Sequence, residues 1–202
     1  MNASRVWAGV DVGGRRKGFH AAVVDDRRLV AGPAGLPDAA AVTAWLTQWQ
    51  PLIVAVDSPC RLAGDGESMR ACERLFSPKT LCGIRPTPSA TALARQSRKL
   101  GSAATHYEWI EHGLELYEAL RRSGVTAIEC FPTASWTRWA GPRGRESRAA
   151  WSSRALMRRN IADMPARLNQ DGRDAIGAAL TARAYARGRY DTFGEIVLPR
   201  AD

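Results

Sequence analysis

Leu52-Ile53-Val54-Ala55-Val56-Asp57-Ser58-Pro59 places five apolar side chains in a row and closes them with a carboxylate and a proline-bearing turn. A run this short, apolar and free of alternation predicts a strand buried on both faces, as in a parallel sheet between helices. The acid then falls at the strand's carboxyl end, where open α/β sheets gather their sites. Upstream, Val6-Trp7-Ala8-Gly9-Val10-Asp11-Val12 has the same form, with Asp11 near its end and Gly13-Gly14 turning the chain. Phe19–Val24 and Leu29–Ala31 predict two further strands, set apart by the polar turns Arg15-Arg16-Lys17 and Asp25–Arg28. The first three strands therefore form an antiparallel meander. Asp38 to Trp49 predicts a helix, capped by Asp38, with Val42, Trp45, Leu46 and Trp49 on one face.

Downstream, Glu67–Phe76 reads as a helical segment, and Ser77–Ser89, which carries three prolines, as a loop or lid. His106–Arg122 predicts a long helix, and Val125–Cys130 a buried strand that brings Glu129 to its end before Pro132. Helices follow over Thr133–Ala140 and Arg148–Asn160. A last one runs from near Asp171 to about Arg187, and Phe193–Leu198 predicts a final edge strand. The class is α/β: a mixed sheet of an antiparallel three-strand meander followed by parallel strands, flanked by helices, in one domain over residues 1–202.

Hydrophobic residues make up 45% and charged residues 24%, a balance that fits a globular core and excludes a disordered chain. The N-terminal segment lacks the apolar length of a signal peptide or membrane span, so a cytoplasmic protein without membrane contact is expected. Cys60, Cys72, Cys82 and Cys130 form no C-x-x-C pair and there are only three histidines, which argues against a zinc ribbon and for cysteines as small core residues. The net charge is +9, and the stretch Arg138–Arg189, with twelve arginines against four acids, holds +8 of it. Such a stretch suits phosphate contacts with DNA or RNA. Only three of the chain's 29 basic residues are lysines, so a compositional bias toward arginine accounts for the same count equally well.

Five acids carry the candidate chemistry: Asp11, Asp57 and Glu129 at strand ends, and Asp171 and Asp174 three residues apart at the start of the last helix, on one face of it. Converging carboxylates suit Mg²⁺ or Mn²⁺, and a pair of such ions supports phosphodiester hydrolysis. Each acid also has a plainer role. Asp11 can satisfy the Gly13-Gly14 turn and Asp57 an Asx-turn before Ser58-Pro59. Glu129 can pair with an arginine, Asp171 can cap the helix, and Asp174 can interact with the helix dipole. Arg70, Arg74, Lys79 and Arg85 are candidate phosphate contacts in and beside the proline-bearing segment. Glu108, Glu111, Glu115 and Glu118 recur at helical spacing and read as a solvated face pairing with Arg121 and Arg122 rather than a carboxylate bundle.

Ala8-Gly9-Val10-Asp11 through Gly18-Phe19, Val54–Pro59, Ile128-Glu129-Cys130-Phe131-Pro132 and Asp171-Gly172-Arg173-Asp174-Ala175 resemble, in order, the family catalogued as domain of unknown function 429, described as predicted nucleases of ribonuclease-H fold. The Asp-x-x-Asp of the last helix also resembles that of Holliday-junction resolvases. The resemblance implies a ribonuclease-H-like fold and a metal-dependent nuclease. Asp11, Asp57, Glu129 and Asp174 match the family's acidic positions; we expect Asp11, Asp57 and Asp174 to hold the metals and Glu129 or Asp171 to complete the shell or orient water. After Pro132 the chain departs from the family pattern, with arginine-rich sequence in place of the expected Lys and Gly. Two alternatives remain at this stage. One is a non-catalytic nucleic-acid-binding protein. The other follows from Gly9–Gly14, which resembles the first phosphate loop of sugar kinases and related ATPases.

Overall fold

The computed structural model describes residues 5–76, 81–100 and 107–201. Among these residues seven strands form one sheet: β1 (Trp7–Val12), β2 (Phe19–Val24), β3 (Leu29–Leu36), β4 (Val54–Asp57), β5 (Ala127–Cys130), β6 (Tyr190–Phe193) and β7 (Ile196–Pro199). Their spatial order is β3-β2-β1-β4-β5-β7-β6. The meander β1–β2–β3 is antiparallel, β1, β4, β5 and β7 run parallel, and β6 returns antiparallel at the far edge. This is the mixed sheet expected. The predicted final edge strand is instead a hairpin. Gly194, at φ +59°, turns the chain inside Phe193–Leu198, so β7 pairs inward with β5 and β6 takes the edge.

Among the described residues there are six α-helices: α1 (Ala39–Thr47), α2 (Ala90–Leu100), α3 (Glu108–Arg122), α4 (Pro132–Ala140), α5 (Arg148–Met157) and α6 (Gln170–Ala186). Asp38 caps α1 by accepting from Ala41 N–H, as its sequence position predicts. The predicted helical segment Glu67–Phe76 shrinks to a single 3₁₀ turn, Glu73–Leu75. Alternation along the strands splits the core in two. Ala8, Val10, Val12, Val54 and Val56 pack toward α1 and α3, whereas Trp7, Ala55 and Cys130 pack toward α4, α5 and α6. All four cysteines are free, with Cys72 and Cys130 buried. No helix among the described residues is long and apolar enough to cross a membrane.

Candidate metal centre

β1 and β4 pair in parallel with Gly9 opposite Ala55 and Asp11 opposite Asp57. A period of two puts both carboxylates on the face that carries Gly9 and Ala55, the face covered by α6. α6 lies unusually close there. A Cβ on Gly9 would fall 2.0 Å from the Ala179 nitrogen and 2.3 Å from the Ala175 oxygen, so only glycine admits the helix. The close packing brings the first turns of α6, with Asp171 and Asp174, over the ends of β1 and β4. Asn169, not Asp171, caps the helix, its side chain accepting from Gly172 N–H at 2.8 Å.

Asp174 is buried and heavily bonded. Trp136 Nε1–H donates to its Oδ1 at 2.9 Å, Gln170 Nε2–H to the same oxygen at 3.0 Å, and Arg148 Nη2–H to Oδ2 at 2.9 Å. Trp136 reaches this position across Gly177, where a Cβ would meet the indole ring at 2.4 Å. Asp171 receives Lys17 Nζ at 2.9 and 3.0 Å. His20 sits opposite Asp11 in the β1–β2 register, and ligand atoms of Asp11, His20 and Asp171 lie within 4.8 Å of one another. Sequence reasoning missed His20, although the hairpin pairing of β1 with β2 was the signal that would have found it.

Asp11 and Asp57 make no ion pair with a described residue, and both are crowded by charge of their own sign. Burial, then Asp174 and Asp171, hold the Asp11 carboxyl well above its ordinary range, with Lys17 and Arg148 opposing. Asp57 is raised well above its ordinary value by burial, then by Asp11 and Asp174. Asp174 is raised by burial, and Arg148 and the Trp136 hydrogen bond pull against it. Four carboxylates thus face only two cations, Lys17 and Arg148, among the described residues. Oxygen donors with one imidazole suit a hard or borderline divalent cation, so the residues present fit Mg²⁺ or Mn²⁺.

Glu129 lies elsewhere. It is in register with Val56, not Ala55, so the alternation turns it away from the α6 face. There it forms a bidentate pair with Arg70, at 2.7 and 2.5 Å, and accepts from Cys60 N–H at 2.9 Å. Arg70 is 0% exposed and also donates to Glu73, at 2.9 Å, while Glu73 accepts from Thr87. Arg70 is therefore corrected from a phosphate contact to the centre of a buried ion-pair network, because its side chain is fully buried and its Nε, Nη1 and Nη2 each donate to a carboxylate. Arg85 is exposed and lines a pocket of about 60 Å³ with Asp57 and Glu129; Arg74 is exposed; Lys79 lies outside the described residues.

The arginine-rich stretch divides as well. Arg143 and Arg148 line a groove of about 360 Å³ with Thr133 next to Asp174, whereas Arg154 pairs with Glu146 and Arg173 is buried. On α3, Glu118 pairs with Arg121 and Arg122, Glu115 with Arg15, and Glu108 accepts from Arg15 N–H, a solvated face as expected. A cavity of about 590 Å³ between α5 and the 160–168 segment has no carboxylate in its lining and lies apart from the acids.

A family model described as "Protein of unknown function (DUF429)" matches residues 9–196, which include all five acids. The chain belongs to this family. Among curated proteins no relative matches it. Among solved structures it is similar to RuvC of Thermus thermophilus in complex with a Holliday junction substrate, with TM-score 0.53 and 18% identity, covering 91% of this chain and 96% of that one. Thermus thermophilus RuvC in a second structure gives TM-score 0.51 at the same identity and coverage. The DUF429 chain thus has a ribonuclease-H-like fold.

Proposed function

We propose that this chain is a single-domain, cytoplasmic, divalent-metal-dependent nuclease, with Asp11, Asp57 and Asp174 holding Mg²⁺ or Mn²⁺. The observation that carries the reading is the register Asp11–Asp57 on parallel strands, beneath the first turns of α6, with neither carboxylate ion-paired among the described residues. Divalent ions bound there would supply Lewis acidity to a phosphodiester oxygen and lower the pKa of an attacking water.

The chain's own residues do the rest. Asp171 and His20 flank Asp11 and orient what it holds or share the load. Glu129 acts at one remove: by accepting from Cys60 N–H it fixes the Asp57–Cys60 turn and hence the Asp57 carboxylate. Arg148, 47% exposed, pairs with Asp174 and lines the adjoining groove, where it would be placed to meet a phosphate if Asp174 held a cation.

Nucleic acid is the substrate class this arrangement suits, and the RuvC structure bound to a Holliday junction supports including branched DNA among the substrates. Cleavage of single-stranded, duplex and branched DNA and of RNA with Mg²⁺ or Mn²⁺ tests it. Asp57→Asn should lower cleavage by at least about a hundredfold while binding stays intact or tightens. Undiminished cleavage by that variant defeats the mechanism.

A second reading has one observation in its favour. Lys17 and Arg148 already neutralise Asp171 and Asp174, as they would in a binder that no longer cleaves. Nucleic-acid affinity indifferent to EDTA, with no cleavage of any substrate, would select it. The phosphate-loop reading loses support because the Glu108 carboxylate occupies the Arg15 N–H just after Gly13-Gly14.

A further inference from the structure

Around the C-terminal half of α6, Arg159, Arg183, Arg189 and Arg200 line one pocket of about 140 Å³ together with Trp139. Arg183 follows Asp174 by nine residues on α6, about 14 Å along the axis. It donates to the carbonyls of Asp25 and Asp26 in the β2–β3 turn. No carboxylate lines the pocket. The nearby acids are engaged at its margin, Asp26 by Arg187 and Asp191 by Arg138 and Arg200. Burial, then the neighbouring Arg187, pulls the Arg183 guanidinium down to about 10, with Arg159 and Arg189 adding to the fall. The Trp139 ring, 8% exposed and 5.3 Å beneath the Arg159 guanidinium, backs the pocket.

We infer that this pocket is an anion site for a phosphate monoester or diphosphate group, separate from the acidic centre. Planar guanidinium forks match phosphoryl oxygens. The space is below the roughly 300–1,000 Å³ of sites that enclose a whole drug-sized molecule, so it holds the phosphoryl end of a ligand and leaves the remainder outside. The ligand is either a free small phosphate compound or the phosphorylated end of a nucleic-acid chain.

Titration calorimetry on the full chain, in EDTA and at constant ionic strength, separates the outcomes. Pyrophosphate and inorganic phosphate should each bind saturably, pyrophosphate more tightly. Arg189→Gln and Arg200→Gln, both at exposed positions, should each weaken binding about tenfold, and Trp139→Phe by less. Asp11→Asn should bind as the wild type does, so this result stands or falls apart from the nuclease reading. A 5′-phosphorylated oligonucleotide preferred over its 5′-hydroxyl form would identify a chain end as the ligand. Pyrophosphate binding without that preference would identify a free compound. Absence of saturable binding, wild-type affinity in both arginine variants, or loss of binding in Asp11→Asn overturns the proposal.

Discussion

Two groups of carboxylates meet near the ends of β4 and β5, and they are built on opposite principles. On one face, Glu129 and Glu73 converge on Arg70, and each oxygen has a donor. Burial works against the Arg70 charge, but Glu129 and Glu73 outweigh it and hold its pKa above the usual value. On the other face, Asp11 and Asp57 crowd Asp174 with no ion-pair partner of their own among the described residues, and all three carboxyls are raised. A satisfied buried network holds a structure together, whereas an unsatisfied one signals a charge still to be supplied.

The largest effect on stability belongs to the satisfied side. Arg70→Met would leave Glu73 and Glu129 buried without a counter-charge. Removing one partner of a buried pair costs about 3–5 kcal/mol, and urea denaturation should show a loss of that size. A loss under about 1 kcal/mol would mean that the network is not the tie between the Glu73 turn and β5 that its geometry describes.

How far the sequence exposed this contrast follows from the periods involved. The boundaries of β2 were readable from Phe19–Val24, and β1, β4, α1 and α6 were placed to within a residue or two, because apolar runs and caps are local signals. Asp11, Asp57, Asp171 and Asp174 were legible as strand-end or helix-start acids. Glu129 was grouped with them because the face it takes depends on the register of β5 against β4, and one residue of offset reverses it. Arg70 was misread because it sits in an irregular segment beside a 3₁₀ turn, and its partner Glu129 lies 59 residues away on β5. The β6–β7 hairpin was compressed into one strand because its turn spans only Gly194 and Glu195.

On the unsatisfied side the expected effect is smaller and opposite in sign. In EDTA at neutral pH, Asp11→Asn removes one of the repelling charges, so melting should stay unchanged or rise. The variant should lose the stabilisation that Mn²⁺ gives the wild type, about 2.7 kcal/mol when the ion is at a hundred times its dissociation constant. Equal Mn²⁺ shifts in both proteins would remove Asp11 from the ligand set. The pH dependence carries the same sign. A carboxyl raised in the folded state binds more protons there than in the unfolded chain, whose carboxyls titrate near 4, so it subtracts stability as pH climbs from that value through the raised one. Without metal, the wild type should therefore lose stability with rising pH more steeply than Asp11→Asn. Parallel profiles would mean that the crowding is relieved in solution.

The third group of acids, on α3, should respond least, and that makes it the control for both others. Glu118 is exposed, and hydrogen bonds from Arg121 lower its pKa, so what it contributes is present above the unfolded carboxylate range and is lost as pH falls through the lowered value. Pairs of this kind, three and four residues apart on a solvated helix, contribute little and are screened by salt. Glu118→Gln should leave melting nearly unchanged at low salt, and the residual difference should vanish at high salt. It should retain the full Mn²⁺ stabilisation of the wild type, because none of the α3 glutamates lies in the group formed by Asp11, His20 and Asp171. A reduced Mn²⁺ shift in this variant would place a divalent ion on the α3 face and break the contrast between a crowded centre and a solvated one.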